Sequence, residues 1–421
     1  MGSKFVIKGG RPLVGEISVA GAKNAALKIF PVALLTQEKI SIVNLPEIED
    51  CHRAQEMLRA LGHETRSLNA GFCEIQYKNR TCLNLPADLV NKFRASIMFV
   101  GPLLATCGEV YFPHPGGCVI GAATRPIDLF LEGFKKMGAK VMVGENSYHL
   151  TAKKLKGANI FFQKVTVTGT ESLMMTACLA EGQTVLKNCA MEPEIPALAD
   201  FLNRSGAQIE GAGTPVIKIK GVKKLGGGEY KIIPDRIEAG TFALMAATAN
   251  QGRVVIKNCN PGHLEALWAQ FDRIGIKYKL GTDSVVIFPS ARRLACEMIT
   301  HEYPGFATDL QSAYTVLMTQ CAGASLVHET IYDRRLLFTD TLTQMGAKII
   351  MADPHRVVVS GPTKLFGRKL VSPDLRAGMA LVIAALVAEG QTEIDNIYQI
   401  ERGYEKLDER LRSLGADIKK V

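Results

Sequence analysis

The feature of this sequence that most constrains its fold is an internal repeat. Six times, an amphipathic stretch ends in a glycine that is followed by a short alternating run, as in LEGFKKMGAKVMV. These glycines recur about every 70 residues, and they are Gly62, Gly138, Gly206, Gly275, Gly346 and Gly415. A glycine suits the C-terminal end of a helix, where a positive φ is needed, and the run after it alternates as a strand does. The pattern predicts six similar units of helix and strand.

A second element recurs between these glycines, and it combines an apolar helix, a small turn and a β-rich run. ACLAEGQTVLKNC and ALVAEGQTEIDNI are two of its copies. A solenoid repeat is usually shorter than this period, so each unit is predicted to be a subdomain. Six units in 421 residues indicate two α/β domains of three units each. The chain is predicted to cross between domains near residues 232–236, and a first strand over residues 5–19 could join either domain.

Composition indicates a globular protein, because 47% of the residues are hydrophobic and 22% are charged. Residues 97–107 and 377–388 are apolar but shorter than the roughly 20 residues of a membrane span, so buried helices are expected there. Residues 1–14 contain no signal-peptide pattern. The ten cysteines form no C-x-x-C pair or metal-binding cluster, as in a cytosolic chain with free thiols.

The formal net charge of +9 raises the question of nucleic-acid binding. The chain has no basic run longer than two residues, and it has a single tryptophan. Both observations disfavour nucleic-acid binding. The surplus arginines are better interpreted as groups that hold an anionic small molecule.

Three segments contain candidate functional residues. In GAKNAA, a glycine-led turn opens a helix with Lys23 in its first turn, where a phosphate or carboxylate could bind. In HPGGCVIG, Cys118 lies on a Gly/Pro-rich loop that could close as a lid, where nearby cations would make the thiol reactive. In PGFATD, Asp309 precedes an apolar helix, and helix capping is its simplest role.

Four arginines lie at predicted element boundaries, and a guanidinium group can bind carboxylate or phosphate through two hydrogen bonds. They are Arg94, Arg335, Arg376 and Arg402. Each by itself is more simply explained as a surface or structural arginine.

Together, GAKNAA, the cysteine loop with RPID, PGFATD, SPDLRAG and IERGYE resemble the UDP-N-acetylglucosamine 1-carboxyvinyltransferase family over essentially the whole chain. The resemblance implies two inside-out α/β barrel-like domains of three repeats each, with an active-site cleft between them. It assigns residues 23–233 to one domain, and residues 1–22 and 234–421 to the other.

The implied reaction transfers enolpyruvyl from phosphoenolpyruvate to the 3-hydroxyl of UDP-N-acetylglucosamine by addition–elimination and releases phosphate. This is the first committed step of bacterial peptidoglycan synthesis, in the cytoplasm. No metal or organic cofactor, nucleic acid or membrane is implied. In this family the lid cysteine is the group that fosfomycin alkylates.

The resemblance also implies the site residues. The catalytic set is Cys118, Asp309, Lys23 and Arg402. The phosphoenolpyruvate set is Lys23, Arg125, Arg402 and Arg94. The UDP-N-acetylglucosamine set is Asn24, Arg94, Arg125, Pro126, Ile127, Asp128, Leu129, Lys164, Thr166, Val167, Thr168, Thr308, Asp309 and Ile331. Cys118 is the expected acid that protonates carbon 3 of phosphoenolpyruvate, and Asp309 either accepts the proton of the sugar hydroxyl or orients that hydroxyl.

One departure from the family pattern concerns the loop, because seven positions separate Cys118 from Arg125 where five are usual. Two alternatives remain from sequence. One is the sister transferase that uses shikimate 3-phosphate, which lacks the cysteine loop and the RPIDL segment. The other is a non-catalytic paralogue that retains the UDP-sugar site.

Overall fold

A computed structural model describes residues 3–79, 84–92, 94–114 and 127–421. Within these ranges the chain forms two compact units. One unit comprises residues 3–20 and 234–421, and we call it the terminal unit because it contains both ends of the described chain. The other comprises the described residues from 21 to 233, and we call it the inserted unit.

The helices of each unit alternate with its strands. Those of the inserted unit are α1 Lys23–Val32, α2 Glu49–Ala60, α3 Ala87–Lys92, α4 Val100–Cys107, α5 Asp128–Lys136, α6 Val167–Ala177 and α7 Glu194–Arg204. Those of the terminal unit are α8 Arg236–Ala249, α9 Glu265–Ile274, α10 Gln311–Met318, α11 Thr339–Gln344, α12 Leu375–Val387, α13 Tyr398–Glu401 and α14 Leu407–Ser413. Short 3₁₀ helices occur at Ala33–Leu35, Arg94–Phe99, Pro261–Leu264, Thr308–Leu310 and Arg335–Phe338.

The strands are short. The first two, in the terminal unit, are β1 Phe5–Lys8 and β2 Gly15–Ser18. Those of the inserted unit are β3 Ile40–Val43, β4 His63–Asn69, β5 Phe72–Tyr77, β6 Glu109–Pro113, β7 Lys140–Val143, β8 Ser147–Thr151, β9 Asn159–Phe161, β10 Gln183–Lys187, β11 Gln208–Glu210, β12 Val216–Lys220 and β13 Gly228–Lys231. The remaining strands of the terminal unit are β14 Val254–Lys257, β15 Lys277–Leu280, β16 Ser284–Phe288, β17 Met298–Ile299, β18 Gly323–His328, β19 Lys348–Asp353, β20 Arg356–Gly361, β21 Lys369–Val371, β22 Gln391–Asp395 and β23 Asp417–Lys420.

One sheet pattern recurs six times in the described chain. In the order β9-β10-β12-β11, β9 is parallel to β10, and the other pairings are antiparallel. The same pattern occurs in β13-β3-β5-β4, β2-β14-β16-β15, β17-β18-β20-β19 and β21-β22-β1-β23. In the sixth sheet, β6-β8-β7, the described residues form a parallel bridge, Asn84 to Tyr111, at the position of the first strand. The predicted sixfold repeat and the mixed α/β fold are thus confirmed.

The six repeat glycines all have the backbone conformation that the sequence predicts. Their φ angles lie between 86° and 107°. A side chain would strain the backbone in this left-handed region, so glycine is favoured at each helix end.

The predicted first strand over residues 5–19 was wrong in one respect, because the structure divides it into two strands. β1 pairs with β22 and β23, whereas β2 pairs with β14 in a different sheet. Gly10, with φ of 83°, lies in the turn between them. The alternating apolar residues gave no sign of this break, since each half satisfies the strand pattern by itself.

The chain leaves the terminal unit between Ala20 and Gly21 and returns to it at Pro234. The first point is two residues earlier than the sequence boundary. Ala22 N–H donates to the carbonyl of Ile233 at 2.8 Å within the inserted unit. Asp235 N–H donates to the carbonyl of Ala20 at 2.9 Å within the terminal unit. These two backbone hydrogen bonds therefore show which residues at the crossing points belong to each unit.

Each unit has its own hydrophobic core. α8 and α12 are buried on nearly every face, as their apolar sequences predict. α4 and α6 approach closely at Gly101, where an added Cβ would lie 2.1 Å from Thr176 Oγ1. Packing in the inserted unit therefore requires the small residue at this point.

Two kinds of feature are absent from the described residues. None of the helices within them has the length and apolar character needed to cross a membrane. Within the same ranges, no three His, Cys, Asp or Glu side chains are grouped so that they could hold a metal ion.

Candidate active site

In the terminal unit, three buried helices begin side by side. α8, α10 and α12 contact one another pairwise. Residues at or just beyond their C-terminal ends, Thr248, Gln320 and Val387, line a common cavity, so the three helices run in the same direction. A helix N-terminus has a partial positive charge, and three of them together favour an anionic ligand at the opposite end.

Asp309 lies within the 3₁₀ helix that leads into α10, and an arginine contacts each of its carboxylate oxygens. Arg335 Nη2 donates to Oδ1 at 2.8 Å. Arg376 Nη2 donates to Oδ2 at 3.1 Å. The side chains of Arg335 and Arg376 are only 4% and 11% exposed, so their positions are restricted. The simplest interpretation of the sequence, a capping role, is wrong, because the Asp309 side chain makes no capping hydrogen bond at the start of this helix.

Burial and nearby charge act in opposite directions on Asp309. Burial would raise its pKa, but the guanidinium groups of Arg376 and Arg335 outweigh burial and hold the pKa well below its ordinary range. Asp309 in turn raises the pKa of Arg376 against the effect of burial. The carboxylate is therefore charged at neutral pH, where it is a strong hydrogen-bond acceptor and a weak proton acceptor.

Glu329 connects Thr308 to the segment that contains Ile331. Thr308 Oγ1 donates to Glu329 Oε2 at 2.8 Å, and it accepts from Arg335 Nη1 at 3.0 Å. Glu329 Oε1 accepts from the backbone N–H groups of Ile331 at 2.8 Å and Tyr332 at 3.1 Å. Glu329 is fully buried. The structure thus brings together three predicted UDP-N-acetylglucosamine contacts, Thr308, Asp309 and Ile331, in one hydrogen-bonded network.

Arg402 directly follows α13, which packs against α12. It is 8% exposed, and its guanidinium carbon lies 6.0 Å from the ring centroid of Tyr398. Two residues later, Tyr404 Oη accepts from Arg376 Nη1 at 3.4 Å and donates to Thr241 Oγ1 at 3.1 Å. The segment after α13 is thereby tied to the first turn of α12 and the second turn of α8.

In the inserted unit, the predicted site residues also lie at the starts of core helices. Lys23 and Asn24 are the first two residues of α1. Val167 and Thr168 are the first two of α6. Arg94 begins the 3₁₀ helix that leads into α4. Both units therefore present the predicted ligands at helix N-termini.

Lys23 forms an ion pair with Asp50, and Nζ lies 2.8 Å from Oδ2. Both side chains are largely buried, at 13% and 7% exposure. Asp50 is in the first turn of α2, where a negative charge is favourable. The ion pair restricts the orientation of the Lys23 side chain, which is predicted to bind phosphoenolpyruvate.

Thr166 is the N-cap of α6, and its hydroxyl accepts from the backbone N–H of Gly169 at 3.2 Å. Thr166, Val167 and Thr168 are all partly buried, and Lys164 just before them is exposed. A capped helix start preceded by a lysine suits the predicted binding of a diphosphate.

The remaining predicted contacts differ in exposure. Arg94 and Leu129 are partly buried, and Asp128, the first residue of α5, is exposed. The Ile127 side chain belongs to the hydrophobic core of the inserted unit and is 5% exposed. A ligand could therefore be contacted at Ile127 through its main chain. Cys118, Arg125 and Pro126 lie outside the described residues.

Sequence reasoning missed two acidic residues that hold predicted site residues in place. They are Asp50, the partner of Lys23, and Glu329, the partner of Thr308. Asp50 could have been suggested by its position in the first turn of a predicted helix. Glu329 gave no such signal, because it follows an ordinary strand.

Comparison with known proteins agrees with this geometry. The sequence model of the family described as EPSP synthase (3-phosphoshikimate 1-carboxyvinyltransferase) matches residues 7–411. Three curated relatives are each named UDP-N-acetylglucosamine 1-carboxyvinyltransferase. The protein from Koribacter versatilis is 45% identical, and the match covers 99% of this chain and 96% of the relative. Those from Acidobacterium capsulatum and Bdellovibrio bacteriovorus are 43% and 42% identical over 99% of this chain and 96% and 100% of their own lengths.

Solved structures show the same fold. The enolpyruvyl transferase NikO from Streptomyces tendae superposes with a TM-score of 0.90 at 24% identity, covering 100% of this chain and 99% of that one. EPSP synthase from Acinetobacter baumannii superposes with a TM-score of 0.77 at 17% identity over 100% of both chains. The chain therefore belongs to the EPSP synthase family and, within it, to the UDP-N-acetylglucosamine 1-carboxyvinyltransferases.

Proposed function

We propose that the protein transfers the enolpyruvyl group of phosphoenolpyruvate to the 3-hydroxyl of UDP-N-acetylglucosamine and releases phosphate. The observation that carries this proposal is the near full-length identity of 42% to 45% with the three relatives of that name. The reaction is an addition followed by an elimination. Protonation of carbon 3 of phosphoenolpyruvate makes carbon 2 electrophilic, the sugar hydroxyl attacks it, and phosphate leaves from the tetrahedral adduct.

The proposed role of Asp309 is to orient the sugar hydroxyl and to receive its proton only as the new C–O bond forms. The low pKa of the carboxylate opposes proton transfer from a free hydroxyl. As the new C–O bond forms, however, the hydroxyl becomes much more acidic. A carboxylate held rigidly by Arg335 and Arg376 can then accept the proton without reorienting.

Phosphoenolpyruvate has two anionic groups on three carbons, so its site needs several cations. We assign Lys23, Arg94, Arg125 and Arg402 to it. The ion pair with Asp50 supports the assignment of Lys23, because it holds the ammonium in one direction. The near burial of Arg402 restricts its guanidinium in a similar way.

We assign the acid that protonates carbon 3 to Cys118, on the basis of its sequence context. A thiol with an ordinary pKa of about 8.5 retains its proton at neutral pH, and neighbouring substrate anions favour that protonated form. The proton would return to the thiolate at a later step of the cycle.

For UDP-N-acetylglucosamine binding, we assign residues in each unit. Thr308, Asp309 and Ile331 come from the terminal unit. Asn24, Arg94, Ile127, Asp128, Leu129, Lys164, Thr166, Val167 and Thr168 come from the inserted unit, and we assign Arg125 and Pro126 from the sequence resemblance. The capped start of α6 supports the diphosphate assignment, and the network around Glu329 supports the sugar assignment.

The deciding experiment measures phosphate release from phosphoenolpyruvate with each of two acceptors. UDP-N-acetylglucosamine should support turnover, and shikimate 3-phosphate should give only background. Turnover with shikimate 3-phosphate would favour the sister activity. Tight binding of the UDP-sugar without phosphate release would indicate a non-catalytic paralogue.

A second experiment tests Cys118. Cys118→Asp should retain part of the turnover, because a carboxylic acid can also donate a proton, and it should not be alkylated by fosfomycin. Mass spectrometry of the treated wild-type protein should locate the adduct on Cys118. Alkylation at another residue would refute the assignment. On the basis of the family resemblance, we also propose that the enzyme acts in the cytoplasm at the first committed step of peptidoglycan synthesis.

A further inference from the structure

The core of the inserted unit contains an ion pair that the proposed reaction does not use. Lys28 Nζ on α1 donates to Glu171 Oε2 on α6. The lysine side chain is 6% exposed, and the glutamate is not exposed at all. Apolar residues of similar volume often stabilise a core as well as a buried ion pair does. The pair therefore suggests a role other than stability.

The position of the ion pair on α1 and α6 suggests that role. Asn24 and Lys28 are four residues apart on α1, so they lie on one face of that helix. Thr168 and Val167 precede Glu171 on α6 by three and four residues, which places them on one face as well. The ion pair thus lies one turn below the proposed sugar contact on α1 and the proposed diphosphate contacts on α6.

The groups around the Glu171 carboxylate make Lys28 important for holding that carboxylate in position. The carboxylates of Glu192 and Glu194 lie close enough to disfavour its charged form. Glu171 Oε1 has no hydrogen-bond partner among the described residues. Lys28 is the donor to the other oxygen. Because an ionic hydrogen bond has a preferred length and direction, it restrains the two helices more narrowly than apolar packing does.

We propose that Lys28 and Glu171 are positioning residues that fix the first turns of α1 and α6 relative to each other. In this way they set the affinity for the nucleotide sugar, and the inference rests on the proposed function. Lys28 and Glu171 touch no substrate in this proposal. They act through Asn24 on one helix and through Thr166, Val167 and Thr168 on the other.

The test replaces both charges together, because removing only one would leave the other buried and unpaired. The Lys28→Met/Glu171→Met variant should melt at or above the wild-type temperature. Its Kd for UDP-N-acetylglucosamine, measured by calorimetry, should rise about tenfold. At saturating substrate, kcat should change less than about threefold, since the reacting groups are intact. The exchanged pair, Lys28→Glu/Glu171→Lys, should return the Kd to within about threefold of wild type.

Two reference variants make the result decisive. Lys39 and Glu74 form an exposed ion pair in the same unit but on neither ligand helix, so Lys39→Met/Glu74→Met should leave the Kd unchanged. Asn24→Ala should weaken binding if the proposed contacts are correct. A wild-type Kd for Asn24→Ala would count against those contacts. A wild-type Kd for the folded Lys28→Met/Glu171→Met variant, with weakened binding in Asn24→Ala, would overturn the positioning role alone.

Discussion

Each unit holds a carboxylate among charged groups near the first turns of its core helices, but the two carboxylates differ in the number of cations that contact them. In the terminal unit, two arginines share the single carboxylate of Asp309. In the inserted unit, Lys28 pairs with Glu171 while two further carboxylates, those of Glu192 and Glu194, lie close by. The Asp309 carboxylate accepts hydrogen bonds from two cations, whereas the Glu171 carboxylate accepts one from a single lysine.

The difference shows that burial alone does not determine the charge of an acid. Burial raises the pKa of both carboxyl groups, but two arginines reverse this effect at Asp309. At Glu171 the single lysine opposes burial without overcoming it, and the pKa is raised to about 7. The centre at Asp309 is suited to orienting a polar substrate, whereas the centre at Glu171 is sensitive to pH near neutrality.

The largest expected effect comes from removing the charge of Asp309. Asp309→Asn keeps the shape of the side chain, but it loses the group that orients the hydroxyl and receives its proton. We expect kcat/KM to fall about 10³-fold in steady-state assays of phosphate release. Asp374→Asn is the matched control, because Asp374 caps α12 through backbone N–H groups and asparagine caps equally well. Near wild-type activity in Asp309→Asn would refute the assigned role.

The second effect is a pH dependence of stability at Glu171. The folded pKa of about 7 lies above the ordinary value of 4.5. The stabilising contribution is therefore present below pH 4.5 and is lost as the pH rises through 7. Between pH 5 and pH 8 this should cost the wild type about 2 to 3 kcal/mol relative to Glu171→Gln.

Urea denaturation of both proteins at the two pH values measures this difference. Asp309 should show the opposite sign, because its folded pKa is lowered. Its stabilising contribution is present above its unfolded pKa of about 3.9 and is lost as the pH falls. An equal response of the wild type and Glu171→Gln to pH would contradict the contrast between the two centres.

The smallest expected effect concerns the shape of the cation at the terminal-unit centre. Arg335 contacts Asp309 with one nitrogen and Thr308 with another, which a lysine cannot do. Arg335→Lys keeps the charge, so we expect KM for UDP-N-acetylglucosamine to rise about tenfold while the melting temperature changes little. Unchanged KM would show that charge alone is sufficient there.

The repeat architecture could be predicted from sequence because its determinants are local. A glycine with a positive φ ends each repeat helix, and apolar alternation follows it. The start of α1 could also be inferred, which placed Lys23 near a helix N-terminus. The division of the first strand could not, because strands in different sheets can share one apolar pattern.

The contacts of the candidate site are largely non-local. Asp309 is 26 residues from Arg335 and 67 from Arg376 along the chain. Motif resemblance indicated that these residues belong to one site, but it gave no hydrogen bonds. Glu329 and Asp50 belong to none of the motifs, and only the tertiary structure identified Thr308 and Lys23 as their partners.

The sequence by itself determined the sixfold α/β repeat, the family resemblance and the helix start that presents Lys23. Only the tertiary structure decided which charges meet, as in the contact between Lys28 and Glu171 across 143 residues. The physical reason is range. Backbone conformation responds to neighbours within a few residues, whereas the pKa and orientation of a buried charge depend on every group that folding brings near it.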